Sequence, residues 1–469
     1  MVALQSESEH RGQFLRGLPA LLGFCLLLFG VIYTLATRES VTTRYVSLMQ
    51  TALKEGDYKL ASTLGGRLMS DSSERKPEVA FRYALALSRS GEPAKATSII
   101  NSLAPDDQVG YAPAHQIRAM QYAQTQNPSS SADSLAAFRW HLSNCGNADS
   151  EQTLMLWASY HQRVGQMAEA IRKIEQAAKL NSTHLVTLAE LYRQSGDEAA
   201  SNRALKSARD SFQKQVDENP LEKGPRLQLA LSLAKLSQMD EAEGILLAGL
   251  KISKAPEILR ATADFYLLKY DLEIKKLEEP QSLAKSFEFL ETAIRLDPSY
   301  VPIYDRLIQL HSLKSKEQGE HDVVKLLEEM IVDGKHAATA HFALSSVLTI
   351  DGKSAESMQH LEQAFRLSPN MPAVCNNLAW MLASGNPPKL DEALELSQKA
   401  VQAVPEAASF RDTLGTILLA QGKYKEAITQ LEIVLSQNSS ETKLHSKLAK
   451  AYEGMGNLEI AKMHREKAK

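Results

Sequence analysis

A self-similarity with a period near 34 residues governs what this chain can fold into. Leu344, Leu378, Leu414 and Leu448 are each followed by a small residue (Ser345, Ala379, Gly415, Ala449), at spacings of 34, 36 and 34. The two extra residues fall in SGNPPKLDEA, where Pro387 and Pro388 lengthen a turn. A unit of this length is one supersecondary element that cannot bury an apolar face alone, so neighbours must stack to make a continuous core. Composition says which element it is. Ala, Leu, Glu, Lys and Gln are abundant and are strong helix formers, while aromatics are only 6% and period-two runs of Val, Ile and Thr are hard to find.

Within each unit a first amphipathic helix ends at a glycine turn (Gly352, Gly422, Gly456), and a second begins with segments such as KYKEA, with Tyr424 and Ala427 facing inward. Small residues at Ala364, Ala393, Ala400, Ala427 and Ala461 let paired helices approach, and Leu361 and Leu431 fill the space between them. Pro298, Pro369 and Pro405 stand where the second helix must stop.

This alternation of small and large residues resembles the tetratricopeptide repeat family, most closely over 338–469. Looser units surround Gly56, Gly91, Gly165, Gly196 and Met239, so that 45–469 reads as about ten to twelve repeats. The resemblance implies an all-α, right-handed superhelical solenoid of helix-turn-helix repeats, preceded here by one N-terminal transmembrane helix. Two stretches depart from the pattern. Residues 124–134 (QTQNPSSSADS) form a polar, loop-like insertion beside the unit of Trp140, and residues 267–285 insert between the helices of an extended unit at 257–298.

Residues 1–16 are a short polar tail. From Gly17 to Thr37 the chain carries no charge, and at about 1.5 Å per helical residue such a run crosses a hydrocarbon core of roughly 30 Å. Arg16 and Arg38 bracket it and Tyr33 sits at an interfacial position. It reads as a signal-anchor helix, with cleavage near Thr34 to Ala36 as the competitor. The bracketing charges are balanced, and a short leading tail favours a single-pass protein with its repeats on the extracytoplasmic side.

Chemistry finds little support. The net charge is −3, from 53 basic and 56 acidic side chains, which offers no field for nucleic acid. Cys25, Cys145 and Cys375 lack any paired spacing. The Gly-Lys-Ser at Gly352 has Val347 where a phosphate loop needs glycine, and the 12 histidines look scattered. No enzyme, metal or cofactor is expected; the stretch from Tyr111 to Ser150 is where a hidden cluster of titratable groups would have to sit. Asn181 and Asn438 head short glycosylation patterns.

In the family resembled, first helices line a concave wall, which here places Asp305, Gln309, Phe342, Ser346, Asn376, Trp380, Asp412 and Thr416 along it. Aromatic contact area and Asn and Asp groups suit a peptide segment or a partner helix. Packing between units is the competing role for Asn376, Asn377 and Trp380. The basic cluster of chaperone-tail receptors is absent, and Lys443, Lys447, Lys450, Lys462, Arg465, Lys467 and Lys469 fit the polar face of a capping unit. The function implied is a membrane-anchored scaffold that assembles or regulates an envelope or secretion complex. A secreted repeat protein, or a regulatory subunit tethering an enzyme of polysaccharide biosynthesis or export, is the alternative.

Overall fold

The computed structural model describes residues 25–33, 43–70, 76–124, 131–276, 281–313, 322–437 and 442–468. Every extended regular element among them is a helix, and no strand occurs among the described residues. The chain divides into two compact units, with the division falling inside helix Lys223–Lys235.

The first unit runs to Pro220 and also takes in 231–237. Its hairpins are 43–55 with Tyr58–Ser70, Pro77–Arg89 with Pro93–Leu103, Ala112–Gln124 with Ala132–Ser143, Glu151–Arg163 with Met167–Leu180, and His184–Gln194 with Glu198–Glu218. The last helix is longer than its counterparts because its buried stripe, Ala204, Ala208, Phe212 and Val216, continues at every fourth residue. Trp140 belongs to a well-formed helix and donates its indole N–H to the Pro105 carbonyl at 3.1 Å. The expected insertion at 124–134 narrows, since Ser131 caps the next helix through the Ser134 N–H and helix begins at Ala132.

The second unit holds Met239–Ile252, then Pro256–Glu273 with Ser282–Leu296, Val301–Leu313 with Val323–Asp333, Ala337–Ile350 with Ser354–Leu367, Pro372–Ser384 with Leu390–Ala403, Ala408–Ala420 with Tyr424–Gln437, and Thr442–Gly454 with Leu458–Lys467. The insertion expected over 267–285 is corrected in part. Leu267, Tyr270 and Glu273 are buried and carry the inner face of helix Pro256–Glu273 onward, so the first part of that stretch is helix.

One hairpin shows how sequence makes the unit. Ala337–Ile350 buries Ala340, Ala343, Leu344, Val347 and Leu348, the stripe of an amphipathic helix, and its partner buries Ser357, Leu361 and Ala364 against it. Between them Gly352 takes φ +76°, its N–H meets the Thr349 carbonyl at 3.1 Å, and the Lys353 N–H meets that of Leu348 at 2.9 Å. This Schellman ending needs a left-handed residue, which glycine enters without steric cost. At Gly415 the requirement is space: an added Cβ would lie 2.7 Å from the Leu431 side chain. The alanines expected between helices, Ala364, Ala393, Ala400, Ala427 and Ala461, are fully buried.

Of the apolar run at 17–37, residues 25–33 are helical and exposed, with Leu26, Leu27 and Phe29 each more than 65% accessible. The rest of the run, and the tail 1–16, lie outside the described residues. No described helix is long and apolar enough to cross a membrane.

Candidate functional site

The first helices of four successive hairpins in the second unit border a hollow of about 450 Å³. Ile308 comes from Val301–Leu313; Ser345, Ser346 and Thr349 from Ala337–Ile350; Asn376, Asn377, Trp380 and Met381 from Pro372–Ser384; Ser409 and Asp412 from Ala408–Ala420. Ser357 and Leu361 of the intervening second helix close the floor.

Most hydroxyls here already have partners. Ser346 Oγ donates to the Phe342 carbonyl at 3.1 Å, and Ser357 Oγ donates to that of Ser345 at 2.7 Å. Asn376 is different. It is 7% exposed, its Nδ2 donates to Asn377 Oδ1 at 3.2 Å, and its Oδ1 is buried without a hydrogen-bond partner. A desolvated amide oxygen costs roughly 1–3 kcal/mol when unmatched, so the site holds an unmet demand for a donor. Trp380, one turn along the same helix, is 50% exposed and offers a broad apolar face with an N–H at its edge. Asp412 is engaged by Lys447 of the next hairpin, whose ammonium lies 2.7 Å from both carboxylate oxygens.

Four of the eight residues expected on this wall therefore border the hollow: Ser346, Asn376, Trp380 and Asp412. Phe342 stands at the repeat position of Asn376 and Asp412 but is half-buried and packs with Leu361, Val374 and Leu378. Its apolar ring turns into the gap between units, where an amide or carboxylate would be penalised. Asp305 and Gln309 lie on the exposed side of Val301–Leu313, where Ile308 is the residue that reaches the hollow. The outer edge of Asp305 is accessible, yet neighbouring protein crowds the carboxyl; that desolvation raises its pKa against the opposing pull of Arg306. Thr416 donates to the Asp412 carbonyl at 2.7 Å and sits off the hollow. Ser409 and Met381 border the hollow without having been expected there, and Lys447, expected on a capping face, engages Asp412 instead; the 34-residue recurrence of first-helix positions was the available signal for the first two.

Titratable groups away from the hollow are shaped mainly by burial and by ion pairing. Burial pushes the Cys145 thiol up to about 11 and raises that of Cys375, so neither is a ready nucleophile. No cluster of three metal-ligating side chains occurs among the described residues. Asn181 donates to Glu151 at 3.1 Å, and Asn438 lies outside the described residues. Arg465 pairs with Glu453 and Lys447 with Asp412, so part of the terminal basic character is neutralised.

The expectation of scattered histidines is wrong. Six of them form three imidazole pairs, because the two helices of a hairpin bring one fixed position of each into contact. The pair in the stretch from Tyr111 to Ser150, His115 with His141, is inaccessible to solvent, and burial lowers both rings.

No family model matches the chain, and no curated protein does. Among solved structures, one of MamA AMB-1 is 26% identical over 35% of this chain and 94% of its own length, at a TM-score of 0.29. One of MamA MSR-1 is 25% identical over 37% of this chain and 95% of its own, also at 0.29. The crystal structure of the APC/C hetero-tetramer Cut9-Hcn1 is 13% identical over 90% of this chain and 92% of its own, at 0.36. Scores this low add nothing to the fold, which rests on the hairpins themselves. By its repeat spacing, its paired helices and the alanines buried between them, the chain is an all-α repeat protein built of stacked helical hairpins.

Proposed function

We propose that the protein is a binding scaffold that takes an extended peptide segment or a partner helix in the hollow beside Trp380. The observation that carries this is the buried Asn376 Oδ1 without a donor, set next to a half-exposed indole. Rotation of the Asn376 amide, which lines the hollow, would bring its enclosed oxygen out to accept from a peptide N–H, and the indole covers the adjoining apolar surface. The reading assigns this hollow a binding role.

The test is chemical crosslinking of the full-length protein in its native membranes, comparing wild type with Trp380→Ala. Loss of the captured partner with an unchanged melting temperature supports the reading. Unchanged capture overturns it, and a collapse in melting temperature reassigns Trp380 to packing.

The scaffold is tethered through residues 17–37, with its repeats on the extracytoplasmic side. The support is the charge-free run and the exposed apolar helix within it. Deleting residues 1–38 should move the protein from the membrane to the soluble fraction; retention on floated vesicles would defeat the tether. Such a tether suits assembly or regulation of a membrane-associated complex.

A further inference from the structure

The three imidazole pairs occupy one repeat position. His341 and His445 each lie three residues before the recurring leucines Leu344 and Leu448, and His360 and His464 each lie eight after Gly352 and Gly456. His115 precedes Ala119 by four residues, as His341 precedes Ser345, and His141 immediately precedes Leu142, as His360 precedes Leu361. Their geometry is shared as well. The Nδ1 to Nδ1 distances are 2.8, 2.9 and 2.9 Å, and the ring centroids lie 5.0, 5.1 and 5.1 Å apart.

An Nδ1 to Nδ1 hydrogen bond holds one proton. In the first pair its position follows from the neighbours. The Gly110 N–H donates to His115 Nε2 at 3.2 Å, so His115 carries its proton on Nδ1 and donates to His141 Nδ1. His141 then carries its proton on Nε2, which faces Asp106 Oδ1 at 2.9 Å, and Arg118 holds the same carboxylate at 2.8 Å. Every ring nitrogen is satisfied while both rings are neutral. One more proton must land on His115 Nε2, facing a donor, or on His141 Nδ1, facing another donor.

The hairpin Ala408–Gln437 supplies the contrast. At the same two positions it has Arg411 and Gln430, and the guanidinium donates to Gln430 Oε1 at 2.6 Å. That bridge has no proton to gain.

We propose that the three histidine pairs are acid-sensitive staples: each ties the two helices of its hairpin through one shared proton and lets go when a second proton arrives. Around the first pair stand Asp106, Arg118, the stacked ring of Tyr122 and the Cys145 thiol, which donates to the His141 carbonyl. Glu328 and Glu356 face His360, and Glu432, Lys467 and the stacked Tyr452 face His464. The acids favour protonation, but burial outweighs them, and five of the six rings are lowered, His115 to about 4.

The direction of the effect follows from the lowered rings. Above pH 6.5 both folded and unfolded chains are neutral at these groups, and the staples hold. As the pH falls from 6.5 toward about 4, the unfolded or opened hairpin takes up protons that the closed one refuses, and stability is lost across that window. The second staple lies on the helices that carry Ser345, Ser346, Ser357 and Leu361 to the hollow, so its opening reshapes that surface. This last consequence rests on the binding role proposed above; the staples do not.

Hydrogen exchange read by mass spectrometry on the full-length protein, at pH 7.5 and pH 5 with intrinsic rates corrected, tests the idea. Protection should fall about tenfold or more at the lower pH in Ala112–Gln124 with Ala132–Ser143, in Ala337–Leu367 and in Thr442–Lys467, and should hold in Ala408–Gln437. An equal response in all four hairpins, or none, overturns the proposal. Replacing the second staple by its neighbour's bridge, His341→Arg with His360→Gln, should abolish the acid response of Ala337–Leu367 alone. Persistence of that response in the folded variant also overturns it, and if the variant does not fold, the wild-type comparison still decides.

Discussion

The hairpins Ala337–Leu367 and Ala408–Gln437 share a packing plan and differ in the bridge that ties their helices. Leu344 and Leu414, Leu361 and Leu431, and Ala364 and Val434 fill equivalent places, all within 6% of complete burial. The bridging position carries His341 with His360 in one and Arg411 with Gln430 in the other, and the hairpin between them puts Cys375 and Leu396 there. The repeat therefore dictates volume at the centre of the hairpin, while the position beside it accepts any pair that bridges or fills. Volume is constrained because a missing methylene leaves a cavity. A bridge has only to satisfy its own polar groups, which is why three hairpins of one stack can carry three different pairs there.

The largest effect that can break this comparison comes from the shared leucines. Leu361→Ala and Leu431→Ala each remove a side chain at most 1% exposed, and each should cost about 2–5 kcal/mol in denaturant unfolding at neutral pH. Similar losses are expected in both hairpins because the alanines beside them, Ala364 and Ala427, are fully buried and leave little room to collapse. A cost near zero at either site would mean that the two hairpins are not packed alike, and the contrast between their bridges would lose its common background.

The same comparison explains what was legible in the sequence. The period, the glycine turns and the interhelical alanines could be read directly, since each follows from a local requirement: a left-handed residue at Gly352, a close approach at Ala427, a stop before Pro369. The hollow was legible by half. Repeat register places Asn376, Asp412 and Phe342 at one position, but register does not say that Phe342 turns into the apolar gap by Val374 while Asn376 keeps an unmatched oxygen. The histidine pairs were missed because their partners stand 19 residues apart in two hairpins and 26 in the third. Only the register between first and second helix, set by the turn, makes those separations equivalent.

The smaller effect sharpens the contrast between the bridges. Arg411 donates to Gln430 Oε1 at 2.6 Å and to the Pro405 carbonyl at 2.7 Å. Arg411→Ala removes both bonds but leaves two acceptors near enough to the surface for water to reach, so the expected loss is about 1 kcal/mol. A guanidinium stays charged throughout the accessible range, and an amide does not titrate. Thermal melts of wild type and Arg411→Ala should therefore keep the same separation from pH 8 down to pH 5, even as both curves fall with the histidine pairs. A separation that grows or shrinks as the pH drops would show that this bridge is coupled to the titrating ones. Independence of the hairpins, which a stack of nearest-neighbour units otherwise implies, would then fail at this point.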